Sequence, residues 1–154
     1  RMFIMNTQEI VELALYIPVA FSAILLIFIA GVLQKVMNNL SEVEFKHFLE
    51  LLFRFATRSP FMLIVSSITF VGVIPYFIIY GFGNIWFSLG FVLWVITSIV
   101  SKVINLPIYT KVGNANEDEV DQLHTLRTEL SRGNKIRALL NLITALVMPL
   151  GFIL

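Results

Sequence analysis

Four apolar runs, each long enough to cross a bilayer, constrain this chain more than any other feature of it. They cover residues 10–33, 61–83, 85–106 and 136–154. A hydrocarbon core of about 30 Å takes about 20 residues at 1.5 Å each, and backbone polar groups inside it must be bonded within the segment. For a lone run, helix is the conformation that meets both demands. Composition agrees: 58% of the 154 residues are hydrophobic and 14% charged, where a soluble domain carries about a quarter charged. The expected fold is all-α, a four-helix transmembrane bundle forming a single integral membrane domain over residues 1–154, with the lipid bilayer as its first partner. The first run is acidic at its start, with Glu9 just before it and Glu12 just inside, and stays apolar from Leu13 to Leu33. A signal peptide has a shorter apolar core behind a basic segment, so this run reads as a retained span.

Two polar segments separate the runs. Ser41 and Glu44 have the spacing of a capping box. Behind them Phe45, Phe48, Leu49, Leu52, Phe53 and Ala56 recur at helical spacing among Lys46, Glu50, Arg54 and Arg58, which predicts an amphipathic helix over 41–58. In the second segment Asn116 is the expected N-cap, with Glu117, Asp118, Glu119 and Asp121 loading the first turns. Val120, Leu123, Leu126 and Leu130 give that helix a narrow apolar stripe, and Gly133-Asn134 either ends it or bends it. The third run should leave helical geometry near Leu106, because a residue before proline (here Pro107) is pushed out of the α region. Asn84 and its glycine neighbours make an uncharged turn, so the second and third runs form an antiparallel hairpin.

Lysines and arginines set the expected orientation. Lys35, Lys46, Arg54 and Arg58 belong to the first polar segment, and Lys102, Lys111, Arg127, Arg132, Lys135 and Arg137 to the second and its flanks. These are ten of the 11 basic residues, and the other is Arg1. By the positive-inside rule both large loops are cytoplasmic and both termini lie outside, so the two amphipathic helices close the inner face.

The chemistry that can be excluded is broad. There are no cysteines and only two histidines, so neither a metal site nor a cofactor is expected. Basic residues alternate with acids, giving no nucleic-acid footprint. Within the third run Gly90, Trp94, Ser98, Ser101 and Asn105 fall at steps of 4, 4, 3 and 4 and share a face that looks into the bundle. Asn105 needs partners if buried, either as a helix cap beside Pro107 or as a ligand contact. His124 and Arg127, three apart, could exchange protons and hold an oxyanion, or could form a solvated face touching lipid. Glu12 is the one acid inside an apolar run, and interfacial solvation near the outer end accounts for it simply. Lys102 can snorkel to the headgroups, and His47 sits on a polar helix face. Pro18, Pro75 and Pro149 interrupt three runs, either opening a cavity between bent helices or merely being tolerated there.

Certain motifs have a familiar order: VMNNL after the first run, RSPF closing the amphipathic helix, INLPIYTKV ending the third run, and HTLRTELSRGNKIRALLNL leading into the fourth. In this order the chain resembles the anthrone oxygenase-like family of small four-span membrane proteins, over about Phe21 to Leu150. Asn105 and Pro107 match the family's Asn-x-Pro element, and Leu126, Arg127 and Thr128 match a later Leu-Arg-Thr element. A tryptophan usually found upstream of the later element is missing, and Tyr109 and Thr110 stand where a second asparagine is usual. The resemblance implies metal-free oxidation of flat polycyclic phenols.

Two readings follow. In the first, an apolar or phenolic small molecule is bound or oxidised in an intramembrane pocket formed by Trp94, Ser98 and Ser101. His124, Arg127 and Asn105 are its candidate catalytic residues, with His124 as general base. In the second, the chain is a non-catalytic accessory subunit of a larger membrane complex that docks a membrane partner through helix 41–58; a homo-oligomer is the alternative assembly. A cavity between the third and fourth runs favours the first; a tight seam there and exposed phenylalanines on 41–58 favour the second. A transporter is least favoured, since so few intramembrane polar groups make a poor aqueous path.

Overall fold

A computed structural model describes residues 6–153, so Arg1 and the last residue of the fourth run, Leu154, lie outside the described residues. The described residues are all-helical in class, with four rods long and apolar enough to span a membrane and one shorter amphipathic helix. We number them α1 (Thr7–Asn38), α2 (Glu42–Arg58), α3 (Pro60–Tyr80), α4 (Ile85–Asn114) and α5 (Val120–Phe152).

Local chemistry explains most of the boundaries. Asn6 caps α1 in a reciprocal box: the Glu9 amide donates to Asn6 Oδ1 at 2.9 Å and the Asn6 amide donates to Glu9 Oε2 at 2.8 Å. Ser41 and Glu44 form the expected box on α2. Pro60 opens α3, where its missing N–H costs nothing. Gly81, at φ +67°, ends it in a backbone conformation that a side chain would strain. Asn84 then caps α4, accepting from the Phe87 amide at 3.1 Å.

Three sequence expectations need correcting. The helix does not stop near Leu106: α4 runs through Pro107 to Asn114, because residues Ser101–Asn105 widen into a π-turn, with the Leu106 amide donating to the Ser101 carbonyl. The extra residue absorbs the break in the hydrogen-bond ladder that proline imposes. Asn116 is not an N-cap. It folds back on Glu119 in a turn, the Asn116 amide donating to Glu119 Oε2 at 2.9 Å, and α5 begins at Val120. Nor do Gly133 and Asn134 end a separate helix. They lie inside α5, helical without interruption from Val120 to Val147, so the second amphipathic segment is the first half of the last rod.

That rod is the axis of the molecule. α5 packs along both α1 and α4, while α3 rests on α1 and reaches α4 through rings, Phe70 lying 4.4 Å from Trp94 between centroids. The buried positions of α5 (Leu123, Leu126, Leu130, Asn134, Ala138, Asn141 and Thr144) follow one stripe from its polar half into its apolar half. Gly90 lets α4 approach closely, since a Cβ there would stand 2.9 Å from the Met148 Cα.

Two hydrophobic cores result. One, at the end holding both polar segments, joins Met37 of α1, Phe45 and Leu49 of α2, Ile108 and Val112 of α4, and Leu123, Leu126 and Leu130 of α5. The other, toward the opposite end, joins Leu15, Val19, Tyr76, Phe87, Trp94 and Met148. Segments 41–58 and 120–130 therefore share one end of the bundle.

Candidate ligand cavity and its polar layer

Between the two cores lies a layer of buried amides, supplied by three rods. Asn105 donates through Nδ2 to Asn134 Oδ1 at 2.9 Å; Asn134 donates to Gln34 Oε1 at 3.0 Å; Gln34 donates to Asn38 Oδ1 at 2.9 Å. Arg137 adds a longer bond at 3.5 Å, from Nη1 to the same Asn134 oxygen. Asn105, Asn134 and Gln34 are almost wholly buried. Such groups are expensive to desolvate unless paired, and this row pairs them. It does not pair all of them: Asn105 Oδ1, Asn141 Oδ1 and Arg137 Nε are buried with no hydrogen-bond partner.

Gly133 makes the row possible. Asn105 lies flat on it, and a Cβ at that position would come within 2.7 Å of Asn105 Oδ1.

Against this layer opens a cavity of about 490 Å³. Its walls are apolar, with Leu25, Phe28 and Leu33 from α1, Leu52 and Phe53 from α2, and Leu106 from α4. Its polar groups are few and converge: Ser101, Lys102, Asn105, Tyr109 and Arg137, with Thr57 at the α2 side. Tyr109 is held by stacking on Phe53, with ring centroids 5.0 Å apart, and it neighbours Arg137. Two of the lining residues are cationic and none is acidic. Both π-turns among the described residues, Ile29–Leu33 and Ser101–Asn105, border this cavity. Turns of this kind sit disproportionately at functional sites, because they turn side chains away from the regular helical register.

The residues singled out from the sequence divide into three groups. Asn105 and Ser101 line the cavity. Trp94 and Ser98 do not: Trp94 is packed in the core against Phe70 and Phe91, and the Ser98 hydroxyl donates to the Trp94 carbonyl at 3.0 Å. His124 and Arg127 lie elsewhere again. Arg127 is ion-paired with Glu42 and sits 4.9 Å above the Phe45 ring, while His124 Nδ1 is 3.2 Å from the other Glu42 oxygen. His124 precedes Asn134, the partner of Asn105, by ten residues on the same helix, or about 15 Å. The structure does not bring His124 to Asn105.

Several residues of the cavity wall and of the buried polar groups behind it escaped the sequence reading. Tyr109 and Arg137, which line the cavity, and Gln34, Asn134 and Asn141, which are buried in the bundle, each look like an ordinary flank of an apolar run. The signal that could have found the α5 members is the 3–4 spacing from Leu123 to Leu130, which continues unbroken through Asn134, Ala138 and Asn141.

A second polar cluster occupies the other end. Glu12 is only 1% exposed, which overturns interfacial solvation as its explanation. Tyr76 donates its hydroxyl to Glu12 Oε1, Gln8 donates to the same oxygen at 2.8 Å, and Asn84 Nδ2 donates to Oε2 at 2.8 Å. Three neutral donors thus take the place of water around the carboxylate.

The remaining expectations can be located in the same way. The seam between α4 and α5 is tight at Gly90, and the cavity is walled mostly by α1, α2 and α4, with Arg137 the α5 residue that reaches it. On α2, Phe45 and Leu49 are buried, whereas Phe55 is 69% exposed. His47 is exposed, with Nε2 3.2 Å from Glu117 Oε1. No family model, curated protein or solved structure matches the chain.

Proposed function

We propose that this integral membrane protein binds an apolar small molecule with a phenolic or similar hydroxyl head in the cavity beside Asn105. A cavity of about 490 Å³ with apolar walls and a few convergent polar groups has the build of a small-molecule site. The observation that carries the reading is the pairing of one unspent acceptor with one unspent donor. Asn105 has a buried carbonyl oxygen without a donor, and Arg137 a buried Nε–H without an acceptor. A hydroxyl can donate to the first and accept from the second; an ether or a hydrocarbon cannot do both. Flat rings would lie along Phe28, Leu52 and Phe53. The resemblance to proteins that oxidise polycyclic phenols supports the same head chemistry. His124 is too distant to be the base for a phenol held at Asn105, so the reading is one of binding. The concentration of cations on both polar segments supports an orientation with those segments in the cytoplasm and the termini outside.

Docking through α2 has less support, because Phe45 and Leu49 are spent on the protein's own core.

Binding of a fluorescent polycyclic phenol, compared with its methyl ether, tests the proposal in detergent-solubilised protein. A charge-assisted hydrogen bond contributes about 1.5–3 kcal/mol, so Arg137→Gln should weaken phenol binding about 10- to 150-fold and leave the ether unchanged. Equal affinity for phenol and ether in the unaltered protein would refute the assignment of the head.

A further inference from the structure

A second hollow, of about 520 Å³, lies on the far side of the amide row, where Asn38 ends α1 beside the first half of α5. Its α5 wall includes Ser131, Arg132 and Lys135, and it closes on Ile136, where the apolar run begins. Arg127 also borders it, but Glu42 already neutralises that guanidinium. Arg132 and Lys135 are different. Among the described residues neither has an acidic side chain within ion-pair distance. Asn38 spends its amide oxygen on Gln34 and keeps its N–H groups. The hollow thus offers two uncompensated cations and further donors, and its lining contains no carboxylate.

What lies next along α5 identifies the occupant. Beyond Arg132 the same stripe continues through Ile136, Leu139 and Ile143, at steps of 4, 3 and 4, and all three are exposed. The surface is therefore cationic at the edge of the membrane zone and apolar immediately within it. A free phosphate compound would use only the upper half; a phospholipid uses both. We infer that Arg132 and Lys135 bind the phosphate of an anionic phospholipid headgroup, with an acyl chain laid along Ile136, Leu139 and Ile143. The site is separate from the cavity proposed above and does not depend on it.

The test is thermal unfolding of the full chain in a neutral detergent, titrated with phosphatidylglycerol, phosphatidylcholine or inorganic phosphate. Phosphatidylglycerol should raise the midpoint, and Arg132→Gln/Lys135→Gln should shift the half-saturating lipid concentration upward by roughly 10- to 30-fold, at about a factor of five for each cation near the surface. Arg54→Gln/Arg58→Gln on α2, with the same loss of charge, should leave it unchanged. All four side chains are exposed, so the lipid-free midpoints should stay together. Equal loss in the two double variants would reduce the effect to diffuse charge and overturn the site. An equal midpoint shift from phosphatidylcholine or from inorganic phosphate would overturn the anionic lipid as occupant.

Discussion

Replacing Gly133 by alanine tests whether the amide layer is built on close contact with α5. The added methyl would stand 2.7 Å from Asn105 Oδ1 and 3.1 Å from both Cγ and Nδ2, so the Asn105 side chain has to move. Moving it breaks the 2.9 Å bond to Asn134. Leaving that buried pair unmatched costs about 1–3 kcal/mol, and crowding a packed site costs about 1–3 kcal/mol more. Against this, alanine is favoured over glycine inside a helix by about 1 kcal/mol. Allowing for partial overlap of the two penalties, we expect Gly133→Ala to destabilise by about 2–3 kcal/mol. The decisive comparison is the same substitution in an Asn105→Ala background. There the colliding amide is gone and only the helix preference remains, so Gly133→Ala should stabilise by about 1 kcal/mol. Equilibrium unfolding in mixed micelles with increasing SDS, followed by far-ultraviolet circular dichroism, measures all four corners of the cycle. A Gly133→Ala effect of the same sign and size in both backgrounds would refute the contact, and with it the account of how Asn105 is positioned.

The other expected outcomes concern the opposite end of the bundle and the start of α2. Glu12→Ala leaves the Tyr76 hydroxyl and the Asn84 amide without their acceptor; it should lower stability by about 2–6 kcal/mol, at about 1–3 for each group orphaned, in the same unfolding assay, and a neutral Glu12→Ala would remove the carboxylate from the structural argument. The Glu44 carboxyl is held below its ordinary value of 4.5 by hydrogen bonds from the Ser41 side chain and then the Ser41 amide. A depressed folded value means support that is present above 4.5 and lost as pH falls through the lower folded value. Amide exchange in the first turn of α2, measured from pH 7 down to 3, should therefore quicken in acid relative to the Glu44→Gln protein, and parallel profiles for the two proteins would contradict the cap.

Much of the architecture was readable because it is local. The four apolar runs, the Ser41–Glu44 cap and the aromatic face of α2 each declare themselves within one or two turns of chain. Asn105 was readable too, as a polar residue on an inward face that had to find partners. Its partners were not, because Asn134 and Gln34 stand 100 residues apart and meet only once α1 and α5 pack. Hydropathy divided α5 at residue 136, where composition changes, whereas the buried stripe passes that point without altering its period. Glu12 was misjudged for the same reason. Its partners Tyr76 and Asn84 come from another helix and another turn, and distance from the run's end said nothing about them. The course of α4 past Pro107 was hidden by a different cause, since a π-turn is an accommodation of the backbone to packing and leaves no composition of its own.

The amides of Asn105, Asn134, Gln34 and Asn38 all point the same way along their row. Reversing one alone would set nitrogen against nitrogen or oxygen against oxygen, so they can only turn over together. Arg137 forbids even that, because it needs an oxygen at Asn134. One guanidinium thus fixes the polarity of a line running through three of the four long rods, oxygen outermost at one terminus and N–H outermost at the other.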